Sequence, residues 1–136
     1  MSDRKCNIGV TDVILLVLGA LFVLGINTFF APCGPKDDGG WMTCHWAGHA
    51  EAGIAVVISV IALIHLLVPN PATKRGLDLA VLPLTVLAAI LPVNLISLCG
   101  MKTMRCHTVM HPAVIVVSIL IILVTICDIL IQRKKK

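Results

Sequence analysis

The chain has 136 residues, 58% of them hydrophobic and 13% charged, with a formal net charge of +4 and a mean hydropathy of +1.01. A soluble domain is about a quarter charged, so this composition cannot coat a globular surface and excludes most soluble folds. No Gly/Ser linker or low-complexity tract divides the chain, and residues 1–136 read as one all-α integral membrane domain.

Four apolar runs, Asp12–Phe30, His49–Val68, Asp78–Leu98 and Pro112–Ile131, are each long enough to cross about 30 Å of hydrocarbon at 1.5 Å per residue. They are continuous rather than alternating, which argues for helices over barrel strands. The first run ends in Phe29-Phe30-Ala31-Pro32 and not in a small-residue cleavage site, so it is expected to remain a span. Pro32 directly before Cys33 argues against a lipid anchor there.

In the first run Asp12, beside Thr11, reads as an N-terminal cap, and Asn27 as a group that bonds to a neighbouring helix. The second run carries Glu51, about two turns in if its helix begins near Cys44, where Lys102 or Arg105 could pair with it, and His65 near its far end. Asp78 opens the third run as a second cap, and Pro83 and Pro92 should kink that helix. In the fourth run Asp128 lies near the inner end, at the depth of His65, so Glu51, His65 and Asp128 are the candidate intramembrane polar contacts. Gly19, Gly25, Gly48 and Gly53 are expected to let helices approach closely.

Basic residues fix the expected orientation. Eight lie before the first run, between the second and third, or after the fourth: Arg4, Lys5, Lys74, Arg75, Arg133, Lys134, Lys135 and Lys136. Only Lys36, Lys102 and Arg105 fall in the other two loops. The positive-inside rule then puts both termini and the Pro69–Gly76 turn in the cytoplasm of a bacterial plasma membrane, with Ala31–Gly48 and Cys99–His111 outside. The basic tail serves orientation beside anionic lipid, and no nucleic-acid partner is expected.

The chain also matches itself. Asp12 and Cys33-Gly34 recur 66 residues later as Asp78 and Cys99-Gly100. Met42-x-Cys44-His45-x-x-x-His49 recurs 62 residues later as Met104-x-Cys106-His107-x-x-x-His111. A helical hairpin used twice, over about 12–68 and 78–131, gives a four-helix bundle whose halves are related by a pseudo-twofold axis along the membrane normal. At the offset of 62, the counterpart of His65 is Cys127.

On this topology Cys33, Cys44, Cys99 and Cys106 all lie outside and read as two disulfides. Symmetry allows Cys33–Cys44 with Cys99–Cys106, or Cys33–Cys106 with Cys44–Cys99, and spacing does not choose. A thiol-disulfide oxidoreductase like DsbB or vitamin K epoxide reductase is an alternative, weakened by the lack of a Cys-x-x-Cys pair. A further alternative is copper or haem bound or transported by His45, His49, His107 and His111 with Met42 and Met104. His45 and His49 share a helix face, whereas Pro112 biases His111 away from helical angles. Trp41 and Trp46 suit headgroup depth. No phosphate loop, catalytic triad motif or zinc-protease signature occurs, so an enzyme is not expected.

The pattern Ala31-Pro32-Cys33-Gly34, Asp37-Asp38-Gly39-Gly40 and Met42-Thr43-Cys44-His45-Trp46, followed by Leu98-Cys99 and Met104-Arg105-Cys106, resembles a bacterial family of small four-helix membrane proteins of unassigned function. Members are often encoded beside ABC transporters of the MacB/FtsX type. The resemblance implies an accessory or regulatory partner of an ABC transporter permease in the lipid bilayer, with a homo-oligomer as an open alternative, and it supplies no cofactor and no catalytic residues.

Overall fold

The computed structural model describes residues 9–31, 33–97, 100 and 103–134. Among them are four long helices: α1 (Val10–Asn27), α2 (Thr43–Leu67), α3 (Pro71–Ile90) and α4 (His111–Lys134). A π-turn, Leu91–Leu95, extends α3, and another, Cys106–Met110, leads into α4. With these turns included, all four are long and apolar enough to cross a membrane. Helix α1 packs on α2 and α4, and α3 packs on α4 and α2, so the helices form a four-membered ring of antiparallel neighbours. Helix α1 therefore starts, and α4 finishes, at one end of the bundle, the terminal end. The other end carries Cys33, Cys44 and Cys106.

Helix starts differ from the hydropathic runs because hydropathy marks the lipid-facing stretch and not the hydrogen-bonded one. Helix α2 begins at Thr43 rather than His49. Helix α3 begins at Pro71, whose missing N–H costs nothing in the first turn, with the Asn70 side chain accepting from the Ala72 N–H at 3.0 Å. Asp78 therefore lies about two turns inside α3 and is not a cap, contrary to the sequence reading. Asp12 does cap, accepting from the Gly9 N–H at 3.2 Å, but that is only part of its bonding.

Pro92 and Pro112 lie at the π-turns, whereas Pro83 lies within α3. Pro92 and Pro112 each remove a backbone donor, and the chain next to each widens to five-residue bonding: Ile96 N–H to the Leu91 carbonyl at 2.9 Å, and His111 N–H to the Cys106 carbonyl. His111 keeps helical angles, φ −58 and ψ −53, because the wide turn absorbs the proline. The expectation that Pro112 drives it out of the helix is overturned.

Burial recurs along the chain in a way that fixes the layers of the core. Asp12, Leu15, Gly19 and Phe22 of α1 are matched 66 residues on by Asp78, Val81, Thr85 and Ala88 of α3. Cys44 and Gly48 are matched 62 residues on by Cys106 and Met110. Deeper in the bundle the offset becomes 63: Glu51, Ala55, Ile58, Ala62 and His65 are matched by Val114, Ser118, Ile121, Thr125 and Asp128. The π-turn at Cys106–Met110 inserts the additional residue. At the offset of 63 the buried position matching His65 is Asp128, while Cys127, 62 residues on, is exposed on the outside of the bundle.

Each layer takes one residue from each helix. From the terminal end these are Asp12/His65/Asp78/Asp128, then Leu15/Ala62/Val81/Thr125, Gly19/Ile58/Thr85/Ile121 and Phe22/Ala55/Ala88/Ser118. Gly19 is needed for this registry: a Cβ there would sit 3.2 Å from the Ser59 Cα. Leu24, Val57, Leu79 and Leu123 point outward, where lipid suits them. Two packing expectations fail. Asn27 donates to the Val23 carbonyl of its own helix at 2.7 Å instead of to a neighbour, and Gly53 faces open space.

Candidate functional site

At the terminal end the imidazole of His65 stands between three carboxylates. Nδ1 is 3.1 Å from Asp12 Oδ1, while Nε2 is 3.1 Å from Asp78 Oδ1 and 3.3 Å from Asp128 Oδ2. One residue comes from each helix. The His65 side chain is 1% exposed and that of Asp78 0%, while Asp128 retains 11%. Buried carboxylates persist only where donors and cations surround them, and these are well supplied. Gln132 Nε2 donates to Asp78 Oδ2 and Asp128 Oδ2, both at 2.9 Å. Thr11 Oγ1 donates to Asp128 Oδ1 at 2.8 Å, and Lys74 Nζ is 2.5 Å from Asp12 Oδ2. Arg75 Nη2 holds Gln132 in turn through its backbone carbonyl at 2.9 Å.

The His65–Asp128 contact is among those expected from sequence, but Asp12 and Asp78 are the members that reading as caps concealed. Their shared offset of 66 was the available signal, since it places them at one depth on diagonal helices. Donor atoms of Asp12, His65 and Asp128 all lie within 4.8 Å of one another, a spacing compatible with a metal ion. The Lys74 ammonium already bonds one of those carboxylates, which favours a cluster balanced by the protein's own charges.

A second buried ionisable group stands alone. Glu51 is 0% exposed, and neither carboxylate oxygen has a hydrogen-bond partner among the described residues. The expected partner Arg105 instead donates to the Phe29 carbonyl at 3.3 Å, because it lies at the surface while Glu51 is about two helical turns below Cys44. Lys102 lies outside the described residues. Between Glu51 and the His65 cluster the core contains three hydroxyls. Thr85 and Thr125 donate to the carbonyls of Val81 and Ile121, both at 2.8 Å, which leaves their oxygens as acceptors toward the core. Ser118 Oγ has no partner among the described residues.

At the opposite end the sulfurs of Cys33, Cys44 and Cys106 all lie within 4.8 Å of one another, with Cys44 and Cys106 buried and Cys33 partly so. Cys33 is near both candidate partners, and Cys99 lies outside the described residues. Next to the thiols, Trp41 stacks on His45 with ring centroids 3.9 Å apart, and the His45 and His49 rings are 4.2 Å apart, on one face as their spacing implies. A cavity of about 240 Å³ opens here, lined among others by Cys33, His45, Gly48 and His49. His107 and His111 are partly buried at the start of the α4 span, and Met42 and Met104 pack against the core. Among the described residues the outer histidines join no group of three or more His, Cys or carboxylate donors.

A family model described as a domain of unknown function (DUF4418) matches residues 15–131. No curated protein and no solved structure matches the chain.

Proposed function

The chain belongs to the DUF4418 family, a domain of unknown function, and from that premise we propose that it is a non-enzymatic accessory or regulatory subunit of an ABC-type transporter permease. It is a small membrane protein with four candidate spans. In this reading a duplicated helical hairpin sits in a bacterial plasma membrane with both termini cytoplasmic. Cys33, Cys44, Cys99 and Cys106 form two disulfides that tie down an extracytoplasmic cap. The observation that carries the cap is the convergence of three sulfurs, from the loop after α1, from α2 and from the turn before α4, within 4.8 Å. Recurrence of buried positions at offsets of 66, 62 and 63 supports the duplication. Lys74, Arg75, Arg133 and Lys134 at the terminal end support the orientation. The transporter partner rests on the resemblance alone.

The test is extraction of native membranes with a gentle detergent and affinity capture of the chain at native expression. A permease of the ABC type should accompany it in fixed ratio, and recovery of the chain alone contradicts the proposal. A second reading, copper binding, is favoured by the same convergence, because thiolate and imidazole donors suit Cu(I). Metal analysis of anaerobically purified protein, before and after His45→Ala and His49→Ala, separates the two readings: stoichiometric copper in the reduced protein supports the second, and permanently oxidised cysteines remove it.

A further inference from the structure

The His65 cluster and Glu51 are joined by a polar position in every intervening layer. Counted from the His65 layer at 1.5 Å per residue, Thr125 lies about 4.5 Å along the bundle, Thr85 about 10 Å, Ser118 about 15 Å and Glu51 about 21 Å. The first three come alternately from α4, α3 and α4, and Glu51 from α2. Serine 118, both threonines and Glu51 are all at most 1% exposed. Nothing in packing requires this, since a four-helix core is fully satisfied by apolar residues, and each layer has three other positions. Polar groups buried in a membrane core are costly and their default reading is functional. The series is exposed at one end and ends beside a cavity at the other. Asp128 keeps 11% exposure at the terminal end. At the other end the cavity of about 240 Å³ is lined by His45, Gly48, His49 and Ala52, the α2 residues just before and after the buried Glu51.

We propose that these groups form a proton path through the bundle, running from Asp128 and His65 through Thr125, Thr85 and Ser118 to Glu51 and out through the His45/His49 cavity. Successive polar layers are about 4.5–6 Å apart along the bundle axis, and waters, each joining two O···O hydrogen bonds of about 2.8 Å, connect them across the core. A proton entering at Asp128 is taken up on the cluster, and each hydroxyl or water then accepts one proton on its lone pair and releases another onward, the Thr125 and Thr85 hydroxyls first turning away from the Ile121 and Val81 carbonyls to which they donate. Glu51 receives it on a carboxylate oxygen and passes it to water in the cavity, so charge moves and no bond other than O–H or N–H changes. A metal cation is not the cargo. It needs several oxygen ligands at once, whereas each middle layer supplies one polar side chain among residues such as Phe22, Ile58 and Ile121. Asp12, Lys74, Asp78, Arg75 and Gln132 surround His65 at the entrance and set its charge balance.

The experiment uses the full chain reconstituted into vesicles of phosphatidylethanolamine and phosphatidylglycerol with an entrapped pH dye, a membrane potential being imposed with potassium and valinomycin. The expected result is lumen acidification at least fivefold faster than in protein-free vesicles. Glu51→Gln should bring that rate back to background, and Ser118→Ala and Thr125→Val should each lower it severalfold. Cys127→Ser, on the outside of the bundle, should leave it unchanged. Circular dichroism and gel filtration in detergent establish that each variant is folded, and the nearly isosteric Thr125→Val provides a reading if Glu51→Gln does not fold. Wild-type vesicles no faster than protein-free ones, undiminished flux in folded Glu51→Gln or Thr125→Val, or sodium-driven flux without proton movement would each overturn the proposal.

Discussion

Replacing His65 by alanine removes the ring that stands between carboxylates of α1, α3 and α4. Three contacts of 3.1, 3.1 and 3.3 Å disappear at once. Asp12, Asp78 and Asp128 are then left facing a cavity with Lys74, Gln132, Thr11 and the Gly9 N–H as their remaining donors. Breaking one buried charge pair costs about 3–5 kcal/mol, because the surviving partner keeps its desolvation penalty. The same range is expected here, since the lost packing of the ring adds to it and the remaining donors offset part. The assay is unfolding by sodium dodecyl sulfate in dodecylmaltoside micelles, followed through Trp41 and Trp46. Both tryptophans lie at the cysteine end, so they respond only if the bundle unfolds as one unit. His65→Gln, which keeps a donor, should recover part of the loss. In a cycle with Asp128→Asn the two substitutions should couple by about 1 kcal/mol or more. A loss below about 1 kcal/mol for His65→Ala, or zero coupling to Asp128, would mean that these contacts do not hold the helices.

Other outcomes follow from single positions. Gly19→Val places a Cβ 2.9 Å from the Ser59 hydroxyl and 3.2 Å from its Cα, so the same titration should register a loss of about 1–3 kcal/mol. Gly53→Ala, with nothing within 4 Å of the new Cβ, should instead stabilise by about 0.5–1 kcal/mol; destabilisation there would contradict its position on the bundle exterior. With Cys99→Ser in place, mild oxidation should link Cys33 to Cys44 or to Cys106, as read by peptide mapping, and its failure would contradict the convergence of those sulfurs.

Much of this architecture could be read from the residues, and the failures have physical causes. The four spans followed from continuous apolar length, and the pairing of His45 with His49 from helical spacing. The helix starts did not, since Thr43-Cys44-His45 and Pro71-Ala72-Thr73 are too polar for a hydropathic run yet well suited to helix ends. The His65 cluster was half legible. Asp128 was placed at the right depth, but Asp12 and Asp78 looked like caps because local capping and long-range pairing use the same residue types. Only the π-turn before α4 accounts for the change from 62 to 63 in the offset between matching buried positions, and a single inserted residue of that kind leaves no mark in composition. Glu51 was noticed, but its lack of a partner depends on where Arg105 lies in three dimensions.

Labelling of intact cells with a membrane-impermeant maleimide, after reduction, tests most directly whether the thiol end and the His65 end face opposite sides of the membrane as proposed. Cys33, the partly exposed member of the thiol group, should react from outside, while a cysteine introduced as Arg133→Cys beside the His65 end should react only after permeabilisation. Reaction of Arg133→Cys in intact cells with Cys33 protected would invert the orientation, and reaction of both from the same side would contradict a bundle that spans the bilayer.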